Sequence, residues 1–262
     1  MKVVKSQNDT PSSEWVVFGR NPVMETIKSG RAVDKLFVQK GSREGSILKI
    51  LSLAKERRIV ISEVEKPKLD ALCQNGAHQG IVCFCAAKEY VSVSDMLDIA
   101  KERGEDPFLI LCDEINDPYN LGAIIRTANA VGAHGVIIPK RRSVGLSGAV
   151  VKAATGALEY VAVARVTNLA ATIDELKEQG VWVYGSDADG EPVFSRNPIT
   201  GPVALVIGSE GQGISQLTRK KCDVILSLPM VGEITSLNAS VAGGILMYEI
   251  LRDRMKDASN KK

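Results

Sequence analysis

The sequence predicts an α/β fold, and three observations carry that prediction. Six segments of the second half, "FLILCDE", "GVIIP", "YVAVARV", "VWVYGSD", "VALVIGS" and "VILSLP", are largely apolar and are separated by helical stretches. Strands rich in Val, Ile and Leu that alternate with helices belong to a parallel sheet covered on both faces. The first half alternates in the same manner on the scale of a small domain. Between the halves, "VSVSDMLDIAKERGEDP" reads as a helix, begun by Ser92 or Ser94 and stopped by Gly104 and Pro107.

Taken in order, residues 1–13 are polar and are expected to fray. "EWVVFGR" leads into a helix at Pro22 to Lys28, followed by a strand "KLFVQ", a helix over Ser46 to Arg58 and a strand "RIVISEV". A helix near "KPKLDALC" and a strand "HQGIVCFCA", rich in β-branched and aromatic residues, complete a unit over residues 14–90. Residues 91–106 link it to a second unit, 107–262, that holds the six apolar strands. In parallel sheets ligands bind beyond the carboxyl ends of the strands. The loops that follow these strands are therefore where a site is expected.

Composition narrows the class. A chain of 262 residues, 45% hydrophobic and 24% charged, is that of a globular protein, neither a fibre nor a disordered tail. No run of about 18 apolar residues is present to span a membrane, and "MKVVKSQNDTPSSEW" lacks the apolar core of a secretory signal, so a cytoplasmic protein is expected. Cys73, Cys83, Cys85, Cys112 and Cys222 form no C-x-x-C pair and lie mostly in apolar runs, as buried thiols do. Cys83 and Cys85, two apart on a strand, share a face. His78 and His134 are far apart in sequence, and no metal is expected. The net charge of +2 announces no nucleic-acid partner, yet Lys140, Arg141 and Arg142 concentrate three cations in "PKRRS". A local cluster attracts phosphate whatever the total, because exposed charges act within about 8 Å at physiological salt.

Three loops carry the polar residues. In "DEINDPYNLGAIIRTANAVGAHG", Asp117 and Pro118 make a turn, Asn120 can cap a helix with Ile124, Ile125 and Ala128 on its apolar face, and Arg126 is the odd member. In "ALVIGSEGQGISQL", Gly208 and Gly213 have the spacing of a P-loop, but Ile214 and Ser215 stand where Lys and Ser/Thr are needed. The G-x-G-x-x-G pattern of dinucleotide sites fails as well, at Gln216. Glu210 would repel phosphate, so this loop suits an uncharged or cationic group. In "PMVGEITSLNASVAGGILMYEI", Ser236 and Asn238 stand before an apolar helix rich in small residues, where they can cap it or face a site.

These three segments resemble the motifs of the SpoU class of RNA ribose 2′-O-methyltransferases, within the SPOUT superfamily. The resemblance runs from about Phe108 to Leu251, while "FGRNPVMETI" and "HQGIV" are similar to the substrate-binding domain, related to a ribosomal-protein fold, that precedes the catalytic unit in many members. The two-domain form is similar to bacterial enzymes that methylate a guanosine of 23S ribosomal RNA, with a transfer-RNA 2′-O-methyltransferase of the same family as the alternative. The resemblance implies a mostly parallel sheet closed by a deep trefoil knot, S-adenosylmethionine as cofactor, RNA as substrate and action as a homodimer with sites near the subunit interface. It implies that Asn120, Arg126, Glu210, Ser236 and Asn238 form the methyl-transfer site. Backbone at Gly208, Leu228 and Leu237 would hold the cofactor, and Lys140, Arg141, Arg142 and Gln79 would contact RNA, Gln79 having a structural turn as its competing role.

The family assigns deprotonation of the sugar hydroxyl to the arginine. A guanidinium is not normally deprotonated in proteins, so stabilising the developing alkoxide and holding a neighbouring phosphate is the physically simpler role for Arg126. Two other classes compete: an RNA-binding module without catalysis on the same fold, and, more distantly, a P-loop nucleotide hydrolase.

Overall fold

The computed structural model describes residues 15–42, 44–233 and 236–260; the stretch 1–13 expected to fray lies outside the described residues. The chain divides into two compact units, one of residues 1–89 with 146–149, the other of 90–145 with 150–262.

In the first unit the elements are β1 (Val16–Phe18), α1 (Arg20–Lys28), β2 (Val33–Gln39), α2 (Ser46–Glu56), β3 (Ile61–Val64), α3 (Lys66–Leu72) and β4 (Ile81–Cys85). They build a four-stranded sheet of order β1-β4-β2-β3, in which β2 and β3 are parallel and β4 is antiparallel to β1 and β2. Alternation along the strands splits the core in two. Leu36, Val38, Ile81, Cys83 and Cys85 face Val23, Ile27, Ile47, Ile50 and Ala54 of α1 and α2, whereas Val16, Val82, Leu69 and Cys73 pack on the other side. Cys83 and Cys85 thus share a face. The helix expected to reach Arg58 stops at Glu56, because Arg58 turns into the left-handed region at φ 55°.

The second unit opens with α4 (Val93–Glu102), whose Ser92 and Asp95 form a reciprocal capping box and whose Met96 is fully buried. Then follow β5 (Phe108–Cys112), α5 (Pro118–Ala130), β6 (Gly135–Pro139), α6 (Gly148–Ala154), a 3-10 turn at Ala157–Glu159, β7 (Ala162–Val166), α7 (Leu169–Glu178), β8 (Trp182–Pro192), β9 (Val203–Ile207), α8 (Gln216–Lys221), β10 (Val224–Ser227) and α9 (Ala239–Asn260). All six strands pair in parallel in the order β10-β8-β9-β5-β6-β7. Every residue of β5 and β9 is buried, as strands covered on both faces require. From the neighbours β5 and β9 the chain departs in opposite directions, β6 lying on one side and β10 beyond β8 on the other. Loops after such diverging strands open a crevice.

Candidate active site

Each of the three motif loops is set by local chemistry. After β5, Asp113 is buried and accepts the Ser215 amide at 2.8 Å, which ties this strand end to the start of α8. Asp117, not Asn120, caps α5: its Oδ1 accepts the Tyr119 amide at 3.0 Å, and Pro118 follows as the first helical residue with φ already set. That corrects the capping role expected of Asn120. Displaced into the first turn of the helix, Asn120 is 6% exposed and its amide turns to other loops.

After β9 the chain folds into a tight loop in which Ser209 and Gly213 exchange both backbone hydrogen bonds at 3.0 Å. A Cβ on Gly208 would lie 2.1 Å from the Gly213 carbonyl carbon, so only glycine permits the loop to close on itself. After β10 the chain reaches α9, where Asn238 is the cap: its Oδ1 accepts the Ser240 and Val241 amides at 3.0 and 3.2 Å and the Ser240 hydroxyl at 2.6 Å. With that oxygen committed to the helix, the Asn238 NH2 points the other way. It donates to Asn120 Oδ1 at 2.9 Å and to Glu210 Oε1, and Asn120 Nδ2 donates to the same Glu210 oxygen at 2.9 Å. One residue from each loop therefore joins a closed set of hydrogen bonds, and capping and site-building are done by the same side chain.

Beside this set lies a cavity of about 500 Å³, within the ordinary range for small-molecule sites. Gly208 to Gly213 form one wall, Leu228 to Met230 another, and Ser236, Leu237, Ala239 and Ala242 a third. Its fourth wall was not foreseen. In the pairing of β10 with β8, Ile225 lies opposite Gly185 but Leu226 opposite Glu191, so the residues between bulge from the sheet and bring Ser186, Asp187 and Ala188 to the cavity. Arg219 of α8 braces the bulge through Asp187 Oδ2 and, at 2.8 Å, Asp189 Oδ1. Burial alone would lower the Arg219 pKa, but Asp189 and Asp187 outweigh it and raise it. The cavity thus presents apolar surface, backbone polar groups and the carboxylates of Glu210 and Asp187. That lining suits a ligand with a flat apolar body and a positive charge.

Of the residues expected at the site, Gly208, Glu210, Leu228, Ser236 and Leu237 line this cavity, and Asn120 and Asn238 are bonded to its edge. Arg126 is not brought to it. Six residues beyond Asn120 on α5, it is exposed, and its Nη1 meets the Thr155 hydroxyl at 3.5 Å. Lys140, Arg141 and Arg142 follow β6; Arg142 pairs with Glu114 at 2.9 Å, and the Lys140 carbonyl accepts from Arg165 at 3.3 Å. Gln79, in the first unit, takes the Arg20 amide on its side-chain oxygen at 3.1 Å. Asp113 and Asp187 are not among the residues expected at the site. Their signal was an acidic residue at the end of an apolar run, "FLILCD" and "VWVYGSD", Asp113 just after β5 and Asp187 within β8.

A glycine-walled, carboxylate-flanked cavity at the carboxyl ends of a parallel sheet is where α/β proteins bind small ligands, and this lining fits one with a positive charge. The family model described as the SpoU rRNA Methylase family matches residues 107–248, and one described as RNA 2′-O ribose methyltransferase substrate binding matches residues 16–91. The chain belongs to the SpoU family of RNA methyltransferases, whose activity is 2′-O-ribose methylation. The Bacillus subtilis protein YacO, assigned to the TrmH family of tRNA/rRNA methyltransferases, is 50% identical over 238 residues, covering 91% of this chain and 95% of its own. A Staphylococcus haemolyticus protein assigned to the same family is 46% identical over 94% of this chain and 98% of its own. Among solved structures, the SpoU methyltransferase AviRb of Streptomyces viridochromogenes, in complex with AdoMet, matches with a TM-score of 0.58 at 25% identity, covering 92% of this chain and 90% of that one. Among the described residues no helix is long and apolar enough to cross a membrane.

Proposed function

We propose that this chain transfers a methyl group from S-adenosylmethionine to a ribose 2′-hydroxyl of a guanosine in 23S ribosomal RNA, acting in the cytoplasm as a homodimer. The observation that carries this reading is the hydrogen-bonded set of Asn120, Glu210 and Asn238 beside the cavity. When bound, the cofactor supplies a methyl group on a positively charged sulfur. The residues present fit it: apolar Leu228, Met230 and Leu237 suit an adenine, the Gly208 loop gives close backbone approach, and Glu210 and Asp187 favour positive charge. The return of the chain from edge strand β10 to α9, which packs on α5 and β9, supports the trefoil knot that the resemblance implies. Gly243, where a Cβ would sit 2.4 Å from Ile207, permits that approach.

Asn120, whose amide keeps one N–H and one lone pair beyond its bonds to Glu210 and Asn238, orients the ribose with Ser236, and Asn238 and Glu210 hold Asn120 in place. Arg126 stabilises the developing alkoxide and holds the adjoining phosphate, and the hydroxyl proton leaves through that phosphate or to water. Since Arg126 stands away from the cavity of its own chain, it serves the cavity of a second copy. Val241, Tyr248 and Met255, seven residues apart on α9 and 49%, 53% and 63% exposed, form an apolar stripe fit for that contact. Lys140, Arg141 and Arg142 hold RNA backbone.

Calorimetry with S-adenosylmethionine separates this reading from a non-catalytic RNA-binding module. Mapping 2′-O-methyl groups by mass spectrometry in ribosomal and transfer RNA, with and without the gene, tests the target; a lost methyl in tRNA would move the substrate there. Arg126→Ala should abolish methyl transfer and spare cofactor affinity. Mixing Arg126→Ala with Asn238→Ala protein should restore activity, because one of two cavities in a mixed dimer then has both residues. Absence of restoration would place Arg126 and Asn238 in the same copy's site.

A further inference from the structure

The motif "HQG", residues 78–80, takes no part in the cavity described above, yet the first unit has an open cleft of about 460 Å³ around it. Its floor is fixed. His78 is 6% exposed and its Nδ1 accepts the Gly80 amide at 2.9 Å, which leaves the neutral ring's proton on Nε2, 2.9 Å from Asp70 Oδ1. The other Asp70 oxygen meets Lys66 at 3.1 Å, and Lys66 and then His78 hold this carboxyl below its usual value. One wall is fixed as well, since Arg20 donates its amide to Gln79 Oε1 at 3.1 Å and its Nε to the Gln79 carbonyl at 3.2 Å.

Two features set this cleft apart from an ordinary turn. Gln79, in the cleft, and nearby Gln74 have left-handed backbone, at φ 51° and 54°, which costs roughly 1–2 kcal/mol where glycine would cost little, whereas Asn75, at φ 62°, is of a type that tolerates it. Glutamine is not a residue that turns favour, so the strained backbone at Gln79 points to a use for its side chain. The cleft's polar groups also have spare capacity facing outward. Arg20 uses only Nε and its amide among the described residues, leaving its terminal nitrogens, and Gln79 spends its oxygen on Arg20, leaving its NH2. Asn75 is exposed beside them.

We infer that this cleft takes one unpaired nucleotide of the RNA, its phosphate held by Arg20 and Lys66 and its base edge read by the amides of Gln79 and Asn75. The inference rests on the RNA-methyltransferase reading and adds where, on the first unit, the substrate is recognised. Guanidinium binds phosphate in two-pronged fashion, and amides read base edges that only unpaired RNA presents fully. A cleft of one-nucleotide scale with no aromatic side chain among its lining except His78 grips by charge and hydrogen bonds, not by stacking.

The test uses the full chain and two probes, a fluorescein-labelled eight-nucleotide RNA of mixed sequence, single-stranded or annealed to its complement, and unmodified 23S rRNA made by transcription. Gln79→Ala and Lys66→Ala are compared with Lys55→Ala, an exposed cation of α2 outside the cleft. The wild type should bind the single strand more tightly than the duplex. Gln79→Ala should weaken single-strand binding about 10-fold, and Lys66→Ala should weaken it about 5-fold while lowering the slope of log affinity against log salt by about 0.7. Both should raise KM for rRNA with kcat and S-adenosylmethionine affinity unchanged. Binding of both variants equal to Lys55→Ala, or a wild type that prefers the duplex, overturns the inference. If the wild type methylates no RNA while the variants still lose single-strand binding, the functional reading fails and the nucleotide cleft stands.

Discussion

Asn120 and Gln79 are both primary amides at turns, and they are used in different ways. Asn120 is 6% exposed and both ends of its amide meet protein, Glu210 on one side and Asn238 on the other. Gln79 stands at the surface, and among the described residues its side chain bonds to Arg20 through the oxygen, leaving its NH2 open. In the second unit polar groups are spent before any ligand arrives, which preorganises the site at the expense of tolerance; a buried donor without a partner costs about 1–3 kcal/mol. In the first unit they are held in reserve. The contrast teaches that substitutions in the second unit should register as both stability and activity, and those in the first as affinity alone.

The sharpest way to break that contrast is at the buried ion pair of the second unit. Asp253 is 3% exposed and accepts from Arg196 at 2.7 Å and from the Ile199 amide at 3.0 Å. Burial alone would raise its pKa, but the Ile199 amide and the Arg196 guanidinium prevail and lower it. Arg196 already has Nε and Nη2 buried without partners. Asp253→Ala would leave the buried guanidinium without its counter-charge and with only the Asn197 carbonyl, at 2.6 Å, as a partner, and we expect a loss of about 3–5 kcal/mol, read as a drop in Tm or in the denaturant midpoint. A loss near that of an exposed pair such as Lys28 and Glu25, about 0–1 kcal/mol, would show the second unit to be no more committed than the first.

Gly208→Ala comes next. The added methyl meets backbone of Gly213 and Ile214, which cannot rotate away, so we expect about 1–3 kcal/mol of overpacking and a 10-fold or greater loss of S-adenosylmethionine affinity by calorimetry. Glu210→Ala removes the shared acceptor of Asn120 and Asn238 and should lower kcat/KM about 10- to 100-fold with a smaller change in cofactor affinity. A variant with full activity would remove Glu210 from the site.

The six strands could be read from sequence because each is an apolar run bounded by polar turns, and their parallel pairing followed from the helices between them. Their order could not. Whether β8 lies beside β9 or beside β7 depends on which crossover buries more surface, and no local pattern records it. The site was legible where it coincides with motif residues, Gly208, Glu210 and Asn238. It was illegible where geometry depends on register: the strand expected at "VWVYGSD" carries no sign of a bulge, and only its mismatch against Ile225 and Leu226 turns residues 186–188 into a cavity wall. Asn120 was misjudged because Asp117 three residues earlier, followed by Pro118, is the better cap.

The smallest expected effect concerns acid. His134 is 2% exposed in the second unit; its Nδ1 accepts the Phe108 amide at 2.9 Å and its Nε2 lies 3.0 Å from Glu105. Burial holds its pKa below the usual 6.5, with Arg103 and Arg254 adding to the shift and Glu105 opposing it. A histidine depressed in the folded state binds fewer protons there than in the unfolded chain, so its contribution to stability is complete above about pH 6.5 and is lost as pH falls through the folded value. Protonation would also set an N–H against the Phe108 N–H at the start of β5, the strand that leads to Asp113. Tm measured from pH 8 to 5 should therefore decline more steeply for the wild type than for His134→Asn, whereas the Asp253 contribution, lost only in stronger acid, stays constant over that range. Parallel profiles would mean that the ring keeps its bonds when charged, and that the second unit has slack where Phe108, His134 and Glu105 meet.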